Sequence, residues 1–206
     1  IDPGDNAPAL QAALREHGLT VTAFLATHVH FAHVLAGRAL QEATGAPFLL
    51  HPAERPLLAT MRGMTLAWLG YDPGEPPQVT HDLTPGRFEM SDSGPDSAIR
   101  NRQSAIGNPV AFGAETLEVR ATPGHSPGGV TLVHHASRRA FTGDALFAGG
   151  IGRTDLPGGD LPTLLAAIRS QILTLPADYI VLPGHGPAST VGAERLTNPY
   201  LSEDGW

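Results

Sequence analysis

The stretch 27-THVHFAHVLAG-37 places three histidines within six residues and runs on into small, helix-compatible residues. Just before it, 21-VTAFLAT-27 is a β-branched and aromatic run suited to a buried strand. His28 therefore stands where a strand ends, and a helix is predicted from about Ala32 to Thr44. His28 and His30 alternate as residues leaving a strand do, so they project to one side, and His33 follows one helical turn after His30. A lone histidine at a strand end is usually a surface or hydrogen-bonded residue. Three aimed at one small volume repel as cations and waste their donors as neutrals, unless a metal gathers them.

Working outward, Ile1-Asp2-Pro3-Gly4 reads as the end of a strand entering a turn. Residues 7–17 carry apolar positions at helical spacing; a strand at 47-PFLLH-51 and a helix from Pro52 towards Leu69 complete a βαβα order. From 79 onward the pattern changes to short strands: 79-VTHDL-83, 115-ETLEVRAT-122, 129-GVTLVHH-135 and 139-RAFTGD-144. A helix over 160–174 and a strand at 179-YIVLPGH-185 restore the alternation. The sum is a layered α/β architecture with mixed sheets and outer helices. Residues 91–109, poor in large apolar groups and rich in Ser, Asp, Asn, Gly and Pro, read as a mobile insertion, with a substrate lid as the alternative.

A chain of 206 residues, 41% hydrophobic, suits a single domain over 1–206. No run approaches the roughly 18 apolar residues of a membrane span, and IDPGDN resembles neither a signal nor a transit peptide, so the expectation is a soluble, cytoplasmic protein. The absence of cysteine removes disulfides, thiolate metal sites and thiol nucleophiles together, leaving histidine and carboxylate as metal ligands. A net charge of −7, with thirteen arginines and no lysine, argues against nucleic acid or an anionic membrane as partner. The expected partner is a small-molecule substrate, and the expected state a monomer or homodimer.

Three further strand ends offer the same kind of ligand. In 122-TPGHSPGG-129 a histidine follows a strand in a glycine-rich turn, in 141-FTGDAL-146 an aspartate ends a strand, and in 182-LPGHGPAST-190 a histidine ends the last one. Open α/β sheets place sites at the carboxyl ends of their strands, so convergence on one cleft is the natural reading. Ser126 sits in a turn where serine commonly bonds its own backbone, and it has no base partner beyond the candidate metal ligands. His17, His51, His81, His134 and His135 stay outside the predicted site; His134 and His135 face opposite sides of a strand and read as surface residues.

The T-H-x-H-x-x-H run, P-G-H-S-P-G, T-G-D and L-P-G-H-G-P-x-S-T together resemble the metallo-β-lactamase fold, in particular its glyoxalase II-like hydrolases. The segment 148-AGGIGRTDLPGGD-160 resembles the small single-domain branch of that group and the persulfide dioxygenases. The resemblance implies an αββα sandwich, here lacking its first N-terminal strands, with two metal positions. It implies His28, His30 and His125 as ligands of the first metal, Asp144 as the bridging carboxylate that orients a hydroxide, and His33 and His185 as ligands of the second. Where that pattern carries a metal-binding aspartate, this chain has Ala32, so weak or partial occupancy of the second position is expected. Arg153 matches an arginine near the cleft, with a salt bridge to Asp155 as the competing reading, and Thr27 and Asp2 are placed to orient ligating histidines.

The function this implies is a zinc-dependent hydrolase, with one or two ions and iron or manganese as alternatives. It would cleave a thioester such as an acylated glutathione or a related thiol with a metal-bound hydroxide, weakened by Ala32. One alternative is a non-heme iron persulfide dioxygenase on His28, His125 and Asp144, which would not use position 32. Another is a non-catalytic binding protein on the same fold.

Overall fold

The computed structural model describes residues 1–87, 109–112 and 115–201 of the chain. Except for Pro109, the insertion read at 91–109 lies outside the described residues. The chain divides into two compact units, Ile1–Leu83 and Thr84–Trp206.

The first unit is built on an all-parallel sheet in the order β1 (Phe24–Leu25), β2 (Phe48–Leu50), β3 (Val79–Asp82). β1 and β2 are buried at every position, the near-continuous apolar pattern of strands covered on both faces. Pairing starts at Phe24↔Phe48, so β1 is shorter than the apolar run from Val21 suggests. The helices are α1 (Ala7–Glu16), α2 (Phe31–Val34), α3 (Gly37–Thr44) and α4 (Arg55–Leu69), the last preceded by a 3₁₀ turn over Pro52–Glu54. Phe24, Val29, Val34, Leu40, Phe48, Leu50, Leu58 and Met61 form its core.

The single helix expected over Ala32–Thr44 is broken, and the cause is a backbone insertion. In a continuous helix the Ala36 N–H would bond the Ala32 carbonyl, and the His33 carbonyl would accept from Gly37. Here Ala36 donates instead to the Gly4 carbonyl at 2.7 Å, and Gly4 N–H donates to the His33 carbonyl at 2.9 Å. The turn at residues 2–4 thus takes both groups, and α2 closes after one turn.

The second unit holds a seven-stranded mixed sheet in the order β12 (Ser189–Thr190), β11 (Ile180–Pro183), β8 (Arg139–Gly143), β7 (Val130–His134), β6 (Glu115–Ala121), β4 (Gly86–Arg87), with β5 (Pro109–Phe112) also pairing β6. β11 runs parallel to β8, and the other pairs are antiparallel. β9 (Leu146–Phe147) and β10 (Gly150–Ile151) form a small hairpin. α5 (Leu161–Ala167) begins at Asp160, whose side chain accepts from Thr163 N–H. It widens into a π turn over Ile168–Ile172, so the helix expected over 160–174 is only partly α. Leu146, Leu164, Ile168, Ile172, Val181 and Val191, all fully buried, fill this unit's core, with α6 (Val191–Thr197) contributing the last of them.

Candidate metal centre

In the first unit, β1 leads through Ala26 and Thr27 into the His28–His30 segment. His30, with extended backbone, is the residue before α2, and His33 lies on α2. The rings of His28 and His30 meet edge to face with centroids 4.9 Å apart, and those of His28 and His33 are 4.0 Å apart. His28 and His33 are buried. Two carboxylates hold this segment in shape. Glu54, fully buried, accepts from Val29 N–H at 3.0 Å, and Asp2 accepts from Thr27 N–H and Thr27 Oγ1 at 2.7 Å each.

The hydrogen bonds of this set also fix which ring nitrogens carry protons. Thr27 Oγ1 gives its hydrogen to Asp2, so at its 3.1 Å contact with His28 Nδ1 it accepts. Asp2 Oδ2 lies 3.1 Å from His33 Nδ1, again as acceptor. Both histidines therefore carry hydrogen on Nδ1, which makes Nε2 the lone-pair nitrogen of the neutral ring, the state a metal ligand needs. Ala32 is exposed on α2, one residue before His33.

In the second unit, the parallel pair β8·β11 brings two strand ends to the same side. Register pairs Pro183 with Gly143, and Gly184 N–H donates to the Gly143 carbonyl at 2.8 Å, so Asp144 and His185 emerge beside each other. His125 comes from the turn between β6 and β7. Gly124 lets the backbone of α5 press against that turn: a Cβ there would lie 2.3 Å from Leu164 N. His125 Nδ1 donates to the Arg153 carbonyl at 2.7 Å, so its tautomer is the same as that of His28 and His33.

Asp144 Oδ2 stands 3.6 Å from His125 Nε2 and 3.6 Å from His185 Nε2. That is too long for a hydrogen bond of about 2.7–3.2 Å. Donors around a tetrahedral ion with bonds of ~2.0–2.1 Å lie roughly 3.3–3.5 Å apart, which is close to the observed spacing. The donor set thus fits a divalent metal in both chemistry and spacing. His185 is 57% exposed, whereas Asp144 and His125 are largely buried, so the His185 side of the set is the open one.

The structure brings Asp2, Thr27, His28, His30 and His33 together in the first unit and His125, Asp144 and His185 together in the second. Arg153 is exposed, and its guanidinium forms a two-pronged ion pair with Asp155, which holds that carboxyl down to about 2. What Arg153 gives the site is its backbone carbonyl, which motif matching does not reveal. Gly152 and Glu54 were also missed. A Cβ on Gly152 would lie 1.9 Å from the Asp144 carbonyl and 2.9 Å from His125 Nδ1; the G-x-R spacing in 150-GIGRT-154 was the available signal. Glu54 carried none, because its partner Val29 lies 25 residues away. Ser126 is fully buried, and its hydroxyl has no hydrogen-bond partner among the described residues. His134 and His135 pair with Glu115 and Glu118 respectively.

A family model described as the metallo-beta-lactamase superfamily matches residues 1–185. The chain belongs to the metallo-β-lactamase superfamily. At that level it is a metallo-hydrolase, and its α/β architecture is the metallo-β-lactamase fold. It is 36% identical to a protein described as "Probable metallo-hydrolase YqgX" from Bacillus subtilis (strain 168), over 98% of this chain and 86% of that protein. It is 33% identical to "Hydroxyacylglutathione hydrolase GloC" from Haemophilus influenzae, again over 98% of this chain and 86% of the relative. Among solved structures, TTHA1623 in a di-iron-bound form superposes with a TM-score of 0.78 at 37% identity, covering 98% of this chain and 88% of that one. Among the described residues of this superfamily member, no helix is long and apolar enough to cross a membrane.

Proposed function

We propose that the chain is a metal-dependent thioester hydrolase, acting on the acylated form of a small thiol such as glutathione. In this reading the two histidine sets serve one centre: His28, His30, His125 and Asp144 hold the first metal, and His33 and His185 hold a second that shares Asp144. The observation that carries the reading is the common tautomer of His28, His33 and His125, each with Nδ1 bonded to oxygen and Nε2 left as the ligating nitrogen. The similarity to GloC supports the thioester as substrate.

A divalent metal held there supplies Lewis acidity, lowering the pKa of water from 15.7 towards about 7 and polarising the carbonyl. The chain's own contribution is positional. Asp2, through Thr27 and His33, and the Arg153 carbonyl, through His125, set the rings before any metal arrives, so little ordering cost remains on binding. Asp144 places an acceptor oxygen between His125 and His185, suited to orienting a water molecule. No serine or cysteine nucleophile is needed, consistent with buried Ser126 and a chain without cysteine.

Ala32 offers a methyl group where the family pattern has a carboxylate, so the second position has fewer donors and less negative charge. Restoring it with Ala32→Asp should raise bound metal from about one towards two equivalents by elemental analysis, and thioester hydrolysis with it. Two bound metals without thioester cleavage would refute the reading. A second reading, an iron-dependent persulfide dioxygenase on His28, His125 and Asp144, draws on the kind of metal in TTHA1623, iron, and not on its two-iron count. Oxygen uptake by iron-loaded protein with a persulfide, unchanged by Ala32→Asp, would select it.

A further inference from the structure

One carboxylate outside the donor set reaches two of the segments that carry it in the second unit. Glu194, on α6, is buried. Its Oε2 accepts from Gly149 N–H at 2.9 Å and from Asn198 Nδ2 at 2.8 Å, and its Oε1 accepts from Ser189 Oγ. Asn198 Nδ2 also donates to the Gly150 carbonyl at 3.1 Å. Gly149 lies in the turn of the β9–β10 hairpin and Gly150 opens β10. That hairpin begins two residues after Asp144 and leads on through Gly152 to the Arg153 carbonyl that holds His125. Ser189 opens β12, and the loop between β11 and β12 carries His185. α6 does not need this carboxylate for its own start, because Thr190 Oγ1 already accepts from Ala193 N–H.

We propose that Glu194 is a positioning residue for the metal centre, clamping the β9–β10 turn and the β11–β12 loop so that the Arg153 carbonyl and His185 keep their places around Asp144. The proposal rests on the metal-site reading above and goes beyond it, since Glu194 touches none of the donors. Two arms leave the carboxylate. One runs from Oε2 to Gly149, with Asn198 as a second grip on Gly150, and acts on His125. The other runs from Oε1 to Ser189 and acts on His185, which is 57% exposed and so has less packing than His125 to fix it. A buried carboxylate is costly unless its lone pairs are satisfied. Here the donors that satisfy it lie in the very segments to be held, so satisfying the charge and ordering the ligands are one event.

The test uses the full chain and zinc, with affinity read by competition against a chromogenic chelator. Glu194→Ala should lower zinc affinity about tenfold, the lower end of what loss of groups behind metal ligands costs. Glu194→Gln should stay within about threefold of the parent, because its oxygen can accept from Gly149 and Asn198 while its NH₂ donates to Ser189 Oγ. Leu117→Ala, a core truncation at the far end of β6 from His125, should destabilise the fold yet leave zinc affinity within about twofold. Two single-arm variants decide the matter if Glu194→Ala does not fold. In metal-free protein, Asn198→Ala should speed hydrogen exchange at His125 Nδ1–H about tenfold, read by ¹H–¹⁵N NMR, and Ser189→Ala should not, although each lowers zinc affinity. Zinc affinity within twofold of the parent in Glu194→Ala or in both single-arm variants, or an equal loss in Leu117→Ala, overturns the proposal. Zinc affinity that follows Glu194 in protein that cleaves no thioester even after Ala32→Asp would leave the clamp standing and sink the hydrolase reading alone. Thioester cleavage with zinc affinity unchanged in Glu194→Ala would do the reverse.

Discussion

Asp2→Asn tests the tautomer argument most directly, because it removes charge without removing shape. Asp2 makes three short contacts: 2.7 Å to Thr27 N, 2.7 Å to Thr27 Oγ1 and 3.1 Å to His33 Nδ1. Asparagine can satisfy the buried Thr27 N–H only with its oxygen, since the flipped amide would oppose two N–H groups at a cost of ~1–3 kcal/mol. Its NH₂ then faces His33 Nδ1, and two donors cannot share that contact. His33 resolves the conflict by moving its hydrogen to Nε2, which withdraws Nε2 as a ligand. Loss of an orienting partner of this kind costs about 10–100-fold in metal affinity, or ~1.4–2.7 kcal/mol. Zinc affinity is measured by competition with a chromogenic chelator, and the His33 tautomer by long-range ¹H–¹⁵N NMR. Affinity within twofold of the parent, with His33 still protonated on Nδ1, would show the reasoning to be wrong.

Other perturbations probe other parts of the molecule. Gly152→Ala forces a methyl to within 1.9 Å of the Asp144 carbonyl and 2.9 Å of His125, so metal binding should fall and stability drop by ~1–3 kcal/mol; a thermal midpoint unchanged within a degree would contradict this. Glu194, buried, accepts from Gly149 N–H, Ser189 Oγ and Asn198 Nδ2. Glu194→Ala takes this acceptor from Gly149 N–H and Ser189 Oγ, while Asn198 Nδ2 keeps its bond to the Gly150 carbonyl, and should cost roughly 2–4 kcal/mol in chemical denaturation. Burial lowers the His51 pKa below 6.5, partly offset by Asp82, and its Nδ1 accepts from Ala53 N–H. The unfolded chain therefore takes up this proton at higher pH than the folded one. The contribution of His51 is whole above about 6.5, declines as pH falls from there to its folded value, and is flat below that. His51→Gln should remove this part of the pH slope of the denaturation midpoint, and an identical slope in both proteins would count against it.

How much of this was legible beforehand differs from element to element. The parallel sheet of the first unit follows from 47-PFLLH-51 and the run before His28, because strands covered on both faces leave an unbroken apolar signature. The family followed from four motifs in order. The breaks in the predicted helices were not legible. The split after α2 depends on Gly4, and no periodicity within 32–44 records that a distant carbonyl will capture the Ala36 amide. The short extent of β1 likewise depends on where β2 begins to pair.

The sequence by itself determined the type of chemistry: imidazoles and one carboxylate at strand ends, no thiol, and an alanine where the family has an acid. Residue type and local spacing suffice for that, since donor chemistry belongs to each side chain. Only the tertiary structure decided which nitrogen of each ring is offered and which groups hold it there. Those contacts join Asp2 to His33 and the Arg153 carbonyl to His125, 31 and 28 residues apart. Backbone carbonyls are the same at every position, so only folding selects the one that fixes a histidine's proton.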